Sequence, residues 1–266
     1  MTPDTGLDAA TLLACHDQVQ PLPAERTRPL TELAQAEAIQ REIVALRRGR
    51  GEQPCGFKIG FTNRSIWPLY GVYQPIWAPV YDTTVTQLAQ SSASIAIGRF
   101  VDPRLEPEIV LGLARPPASA QPADIVAALD WYAHGFEIVQ SLFPGWKFSA
   151  AEAFAAQGLH GALLVGPRRP MAELGDPVAE LAALTLDLSC DGRAVARGSG
   201  ANVLDSPVLA LGHLVAELAR RGLALRAGDL VTTGTLTDAQ PLKPGQAWQT
   251  SLGATRLPGL TLRVLA

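Results

Sequence analysis

The sequence has little lysine, little cysteine and no long apolar run. The 22 basic residues include only three lysines, Lys58, Lys147 and Lys243, and the arginines are scattered, so no nucleic-acid surface is predicted. No run approaches the roughly 20 apolar residues of a membrane span. The three cysteines form no ligand-like cluster, and the first residues lack the charged start and apolar core of a signal peptide. We therefore expect a cytoplasmic protein with no membrane partner.

The remaining composition is typical of a folded enzyme, and its pattern changes along the chain. Apolar residues make up 47% of the 266 positions, and the net charge is −3, which excludes a disordered chain. Residues 7–50 place apolar side chains at helical spacing. From residue 56 onward, short runs rich in β-branched and aromatic residues alternate with Gly and Pro. The pattern predicts an α+β fold, in which residues 1–55 form a helical appendage and residues 56–266 a β-rich core, together one structural unit.

Several local elements interrupt this predicted β-rich core. Helical spacing of apolar residues predicts helices over 122–142, 151–157 and 206–221. The dipeptide Asp191-Gly192 lies between two strand-like runs, which indicates a tight β-hairpin turn.

Three acidic residues stand in positions that suggest chemistry. Glu106 and Glu108 lie two apart in the strand-like run 104–113, so their side chains point to the same face. This pair alone fits an exposed strand edge equally well. Glu137, however, has apolar neighbours and needs a partner if it is buried. Convergence of the three carboxylates would suit Mg²⁺ or Mn²⁺, and zinc is disfavoured because no His/Cys cluster accompanies them.

Lys58 is the lysine with unusual surroundings. It lies in the run Gly56-Phe57-Lys58-Ile59-Gly60, among apolar and glycine positions. Such a residue is either a surface lysine whose stem packs on apolar neighbours or a desolvated proton donor and acceptor. The local sequence leaves both interpretations open.

Five segments together resemble a known family. They are GFKIGFTNRSIWPLYGV, RLEPEIVLGL, HGFEIVQS, GSGANVLDSPVLAL and AGDLVTTGTLT. In order and separation they are similar to the 2-keto-4-pentenoate hydratase and 4-oxalocrotonate decarboxylase family, within the fumarylacetoacetate hydrolase superfamily. The resemblance covers roughly residue 56 to the carboxy terminus.

The resemblance implies a fold, a metal and a set of roles. The expected core is a mixed β-roll or barrel-like sheet with an N-terminal helical cap. Glu106, Glu108 and Glu137 match the ligands of a divalent metal, Mg²⁺ or Mn²⁺, and Lys58 matches the catalytic lysine. In such enzymes a 2-oxo acid chelates the metal, which stabilises an enolate. Thr235 matches a hydroxyl near the substrate carboxylate.

The sequence also departs from this family in two segments. Residues 73–78 lack the family's usual acidic residue, and residues 156–160 lack its serine. Their replacements make the expected pocket more apolar and favour substrates with an apolar tail. His160 is a candidate catalytic residue because the pKa of histidine lies near neutrality. The predicted substrate contacts are Arg64, Ile76, Trp77, Leu105, Leu159 and Thr235.

The leading functional hypothesis is a hydratase-like lyase that acts on a small 2-oxo acid. One alternative is carbon–carbon bond cleavage, by an acylpyruvate-type hydrolase or a 2-oxo acid decarboxylase. Hydrolysis is disfavoured because residues 65–81 contain no His-x-x-Glu pair of the kind that the superfamily's hydrolases carry. The other alternative is a metal-binding pseudoenzyme. The resemblance also implies a homo-oligomer.

Overall fold

The computed structural model describes residues 7–23, 29–64, 67–70 and 73–266. The helices are α1 Ala9–Asp17, α2 Leu33–Gly49, α3 Trp67–Tyr70, α4 Pro122–Ala128, α5 Ala150–Ala155, α6 Pro177–Ala183 and α7 Pro207–Arg220. The first strands are β1 Pro54–Gly60, β2 Ile76–Tyr81, β3 Val85–Gln87, β4 Ser92–Ala96, β5 Arg104–Leu113, β6 Leu129–Val139 and β7 His160–Val165. The others are β8 Arg169–Pro170, β9 Thr185–Cys190, β10 Arg193–Ser199, β11 Leu230–Thr235, β12 Gln240–Pro241, β13 Ala247–Gly253 and β14 Thr261–Leu265.

These strands form two sheets. The larger runs in the order β2-β1-β11-β5-β6-β7-β3, with β12 beside β5 and β8 beside β6, and it curls into a half-barrel. The smaller runs in the order β10-β9-β13-β14-β4. The prediction of an α+β fold with a barrel-like core is confirmed.

The two faces of the larger sheet carry different side chains. Successive residues of a strand point to opposite faces, so Val110 in β5 lies on one face and Ile109 and Leu111 on the other. Ile109 and Leu111 belong to the main apolar core. Val110 belongs to a smaller cluster, and we call its side of the sheet the Val110 face. The other residues of this smaller cluster are Val80, Ala133, Leu163, Val165 and Leu230.

The N-terminal helices pack directly on this core. The buried Gln40 of α2 donates from Nε2 to the carbonyl oxygens of Trp77 and Phe154, both at 3.0 Å. Residues 1–6 and 24–28 of the predicted appendage lie outside the described residues, and its separation at residue 55 stays a prediction. No helix in the described part of the chain has the length and apolar character needed to cross a bilayer.

One predicted element is wrong. The segment 122–142 was expected to be a helix, but α4 ends at Ala128 and the chain continues as β6. Nearly all of β6 is buried on both faces, so it lacks the alternation that identifies a strand, and its apolar residues also fit helical spacing.

The other local predictions are confirmed. Helices α5 and α7 lie where helices were predicted. Asp191 and Gly192 join β9 to β10 with φ values of 50° and 76°, as a tight hairpin turn requires.

Candidate metal and active site

Strand register brings the three acidic residues together. Glu106 of β5 pairs directly with Glu137 of β6, and Glu108 pairs with Gly135 two residues away. All three carboxylates therefore lie on the Val110 face, since each is an even number of positions from a member of that face. Their nearest oxygen atoms lie within 4.8 Å of one another.

Glu108 is completely buried and only partly satisfied. Its Oε2 accepts hydrogen bonds from the Thr232 hydroxyl and from the Gly234 N–H, the latter at 2.9 Å. Gly234 has φ 115°, and a Cβ there would lie 1.9 Å from the Thr62 hydroxyl oxygen, so this backbone donor requires glycine. Within the described residues, Oε1 of Glu108 has no hydrogen-bond partner. A buried carboxylate oxygen without a partner is unfavourable, and a bound cation would satisfy it.

The charge of Glu137 is compensated by neighbouring side chains of the protein. Its Oε1 lies 2.7 Å from His160 Nδ1, and its Oε2 lies 3.1 Å from the Lys58 Nζ. Lys58 is 3% exposed and also donates from Nζ to the Gly158 carbonyl oxygen at 2.9 Å. The surface interpretation of Lys58 is thus excluded.

The carbonyl that accepts from Lys58 belongs to an unusual turn. Gln157, Gly158 and Leu159 have φ values of 55°, 62° and 64°, which only glycine adopts without cost. The Gln157 side chain is held at both ends: Arg47 of α2 donates to its Oε1 at 3.1 Å, and its Nε2 donates to the Tyr81 hydroxyl at 2.8 Å. This turn replaces the segment in which the family's serine was expected.

The electrostatics of the cluster follow from burial and repulsion. Burial and the Glu137 charge raise the pKa of Glu106 to about 7, against the opposing effects of Lys58 and Arg104. Burial, Glu137 and Glu106 raise the pKa of Glu108 well above its usual range. For Glu137, burial acts to raise the pKa, but Lys58 and His160 more than offset it and the pKa is lowered. Burial likewise opposes the charge on Lys58, yet the three carboxylates keep its pKa raised.

The cluster is therefore short of positive charge. Lys58 compensates one of the three carboxylates, while burial, together with the charge of Glu137, raises the pKa values of Glu106 and Glu108. The donors are all carboxylate oxygens, and one of them is unpaired. An all-oxygen set of this kind fits a hard divalent cation.

A cavity of about 460 Å³ opens in front of this cluster. Of the residues predicted from the sequence, Lys58, Ile76, Glu106, Leu159 and Thr235 line it. Arg104 and Trp146 also line it and were not predicted. Arg104 was detectable, because it precedes Glu106 by two positions in the same strand and so shares its face.

The other predicted contacts lie elsewhere. Leu105 and Trp77 are buried and absent from the cavity wall, because each is one position out of phase with a residue of the Val110 face and points to the other face. Arg64 is exposed, pairs with Asp205 at 2.8 Å and borders a separate surface depression. His160 lies behind Glu137, where its Nε2 is 2.9 Å from the Thr84 hydroxyl.

The comparisons with known proteins agree with this fold and site. The fumarylacetoacetate hydrolase C-terminal family model matches residues 73–264, and the chain belongs to the fumarylacetoacetate hydrolase family. It is 33% identical to a 4-oxalocrotonate decarboxylase from a Pseudomonas species, over 79% of each chain. It is 31% identical to a 2-keto-4-pentenoate hydratase from Burkholderia vietnamiensis, over 80% of each chain.

A solved structure shows the same fold. The 4-oxalocrotonate decarboxylase of Pseudomonas putida G7, complexed with magnesium and adipate, aligns with a TM-score of 0.87 at 23% identity, over 97% of this chain and 95% of that one. Together the relatives confirm the family resemblance drawn from the sequence.

The position of His160 leads to a prediction about cation binding. His160 touches Glu137 and not the cavity, so we expect it to orient that carboxylate and not to contact a bound molecule. His160→Leu should weaken Mn²⁺ binding by about 10–100-fold, the usual effect of losing a hydrogen bond to a metal ligand. His160→Gln, which can still donate, should recover much of it. Calorimetric titration with Mn²⁺ measures both.

The matched control is His213→Leu, since His213 is exposed on α7. Thermal unfolding of each variant separates loss of binding from loss of fold. Parent-like Mn²⁺ affinity in a folded His160→Leu protein would contradict the assignment.

Proposed function

We propose that this protein is a divalent-metal-dependent lyase of the hydratase type, which adds water to, or removes it from, a small unsaturated 2-oxo acid. The observation that carries the proposal is the cluster itself. Three carboxylates lie together on one sheet face, and two of them, Glu108 and Glu137, have no exposure at all. The third, Glu106, lines the cavity together with Lys58. Such an arrangement costs stability unless it holds a cation, which also argues against a pseudoenzyme that has lost its ligand.

The residues that would hold the cation are Glu106, Glu108 and Glu137, with Mg²⁺ or Mn²⁺ as the candidates. When bound, the cation supplies positive charge that polarises a 2-oxo acid and stabilises its enolate. The wall residues Ile76 and Leu159 keep the cavity partly apolar, which strengthens electrostatic interactions inside it.

Lys58 is the residue placed to move a proton. Lys58 lines the cavity, and its Nζ is held between Glu137 and the Gly158 carbonyl oxygen. We propose that it exchanges a proton with the substrate carbon or oxygen next to the keto group, as a positioned general acid and base. Thr235 would contribute to binding of the substrate carboxylate, although its hydroxyl donates to the Thr237 carbonyl oxygen at 2.7 Å.

Decarboxylation of a 2-oxo acid is the second candidate. The curated relative at 33% identity is named as a decarboxylase, and both reactions pass through an enolate that the same cluster would stabilise. Product analysis separates them, since hydration adds one water to the substrate and decarboxylation removes carbon dioxide. A homo-oligomeric assembly and a cytoplasmic location stay predictions.

Exchange of the protons next to the keto group tests the proposal without knowledge of the natural substrate. In D₂O, the parent protein with Mg²⁺ or Mn²⁺ should exchange the C3 protons of 2-oxopentanoate, observed by proton NMR, because enolisation is the step that the site would assist. A chelator should abolish the exchange. Glu108→Gln should reduce it strongly, and Glu42→Gln, an exposed position on α2, should not. Exchange that persists with a chelator, or that never exceeds the protein-free rate, would contradict the proposal.

Lys58→Met tests the proton-transfer role separately. We expect the rate of C3 exchange to fall by about 10²–10⁴-fold, the usual contribution of a general acid or base. Mn²⁺ affinity should not fall, because Lys58 competes with a cation for Glu137 and does not bind the cation. Lys243→Met, at an exposed lysine, is the control. A parallel loss of Mn²⁺ binding would show instead that Lys58 supports the cluster structurally.

A further inference from the structure

Arg104 is a basic residue of the cavity wall that this proposed function does not use. It lies on β5 two positions before Glu106 and therefore on the same face, about 7 Å away along the strand by the usual spacing per residue. It lines the same cavity as Lys58 and Glu106. A molecule held at the carboxylate cluster would therefore extend within reach of its guanidinium group.

The guanidinium group of Arg104 is fixed in place but has no anionic partner. It stacks over the Trp146 ring at 3.9 Å, which uses the flat face of the group and leaves the N–H donors at its edge free. Within the described residues, Arg104 forms no ion pair, and its buried Nε donates to nothing. A buried donor without an acceptor costs free energy. A bound planar anion would accept hydrogen bonds from Arg104 and remove this cost.

The acidic residues nearby do not serve as the anionic partner of Arg104. Arg104 lowers the pKa of Glu106 through space but makes no ion pair with it. Asp238, another acidic residue of the cavity wall, is exposed and also makes no ion pair with Arg104. A carboxylate from a bound molecule would give Arg104 the bidentate partner that guanidinium groups prefer.

We propose that Arg104 forms an anion subsite that takes the second carboxylate of a dicarboxylic 2-oxo acid, with the 2-oxo end at the carboxylate cluster. The apolar residues between the two ends, among them Ile76 and Val139, contact the carbon chain. This inference rests on the proposed function and revises the expectation of an apolar tail. That expectation depended on Ile76, Trp77 and Leu159, but Trp77 faces away from the cavity, and the cation Arg104 faces into it.

Equilibrium binding of a matched pair of ligands tests the subsite. The probes are 2-oxoadipate and 2-oxohexanoate, which share a chain of six carbons and differ in the terminal carboxylate. Calorimetry on the Mg²⁺-loaded parent protein should show 2-oxoadipate binding about 10–100-fold more tightly, the range for a charge-assisted hydrogen bond. In Arg104→Met the ratio of the two dissociation constants should fall to near one, and Arg104→Lys should recover only part of it.

Arg168→Met is the matched control. Arg168 is also an arginine stacked on a tryptophan, 4.1 Å from the Trp131 ring, but it is exposed and outside the cavity wall. The ratio of the two dissociation constants in Arg168→Met should equal that of the parent protein.

Two results would overturn the subsite: a parent ratio near one, or a parent-like ratio in Arg104→Met. The ratio is a binding measurement, so failure of the proposed function is distinguishable. That failure would show as absence of metal-dependent C3 exchange for either compound, whatever the binding ratio. Absence of binding by both compounds would count against both proposals.

Discussion

The repulsion among three clustered carboxylates, two of them fully buried, is the constraint on which the rest of the site depends. The protein answers it locally at Glu137 with Lys58 and His160, and at Glu108 with the Thr232 hydroxyl and the Gly234 N–H. These partners do not balance the charge, since Glu106 and Glu108 keep raised pKa values. The remaining deficit is what a divalent cation would fill. The carboxylate cluster thus destabilises the folded protein, and binding of a divalent cation would offset this loss.

Several parts of the fold serve to hold this cluster. Arg47 of α2 donates a hydrogen bond to Gln157 and so fixes the left-handed turn there. The next residue, Gly158, accepts a hydrogen bond from Lys58 through its carbonyl oxygen. Helix α2 therefore helps to hold Lys58 in position. His134 links the two sheets. Its Nδ1 donates to the Glu108 carbonyl oxygen, and its Nε2 lies 2.9 Å from the Thr250 hydroxyl. Burial lowers the pKa of His134 to about 4, so it acts as a neutral brace.

The sequence was most informative where side-chain alternation was visible. It predicted the shared face of Glu106 and Glu108, the hairpin at Asp191 and the β-rich core. The same alternation places Leu105 on the sheet face opposite the cavity and Arg104 on the cavity side. Both assignments follow from the two-residue period of a strand alone. It fails for β6, where burial on both faces removes the pattern. The Gln157 turn and the orientation of His160 depend on contacts distant in the chain, so local sequence does not determine them.

The central claim is that this cluster is a cation site, and anomalous scattering from a crystal soaked in Mn²⁺ tests it most directly. The account predicts one strong anomalous peak about 2–2.6 Å from carboxylate oxygens of Glu106, Glu108 and Glu137, the range for oxygen ligands of hard cations, and its loss in Glu108→Gln crystals. Strong peaks elsewhere with none at the three acids, or an unchanged peak in the variant, would contradict the account.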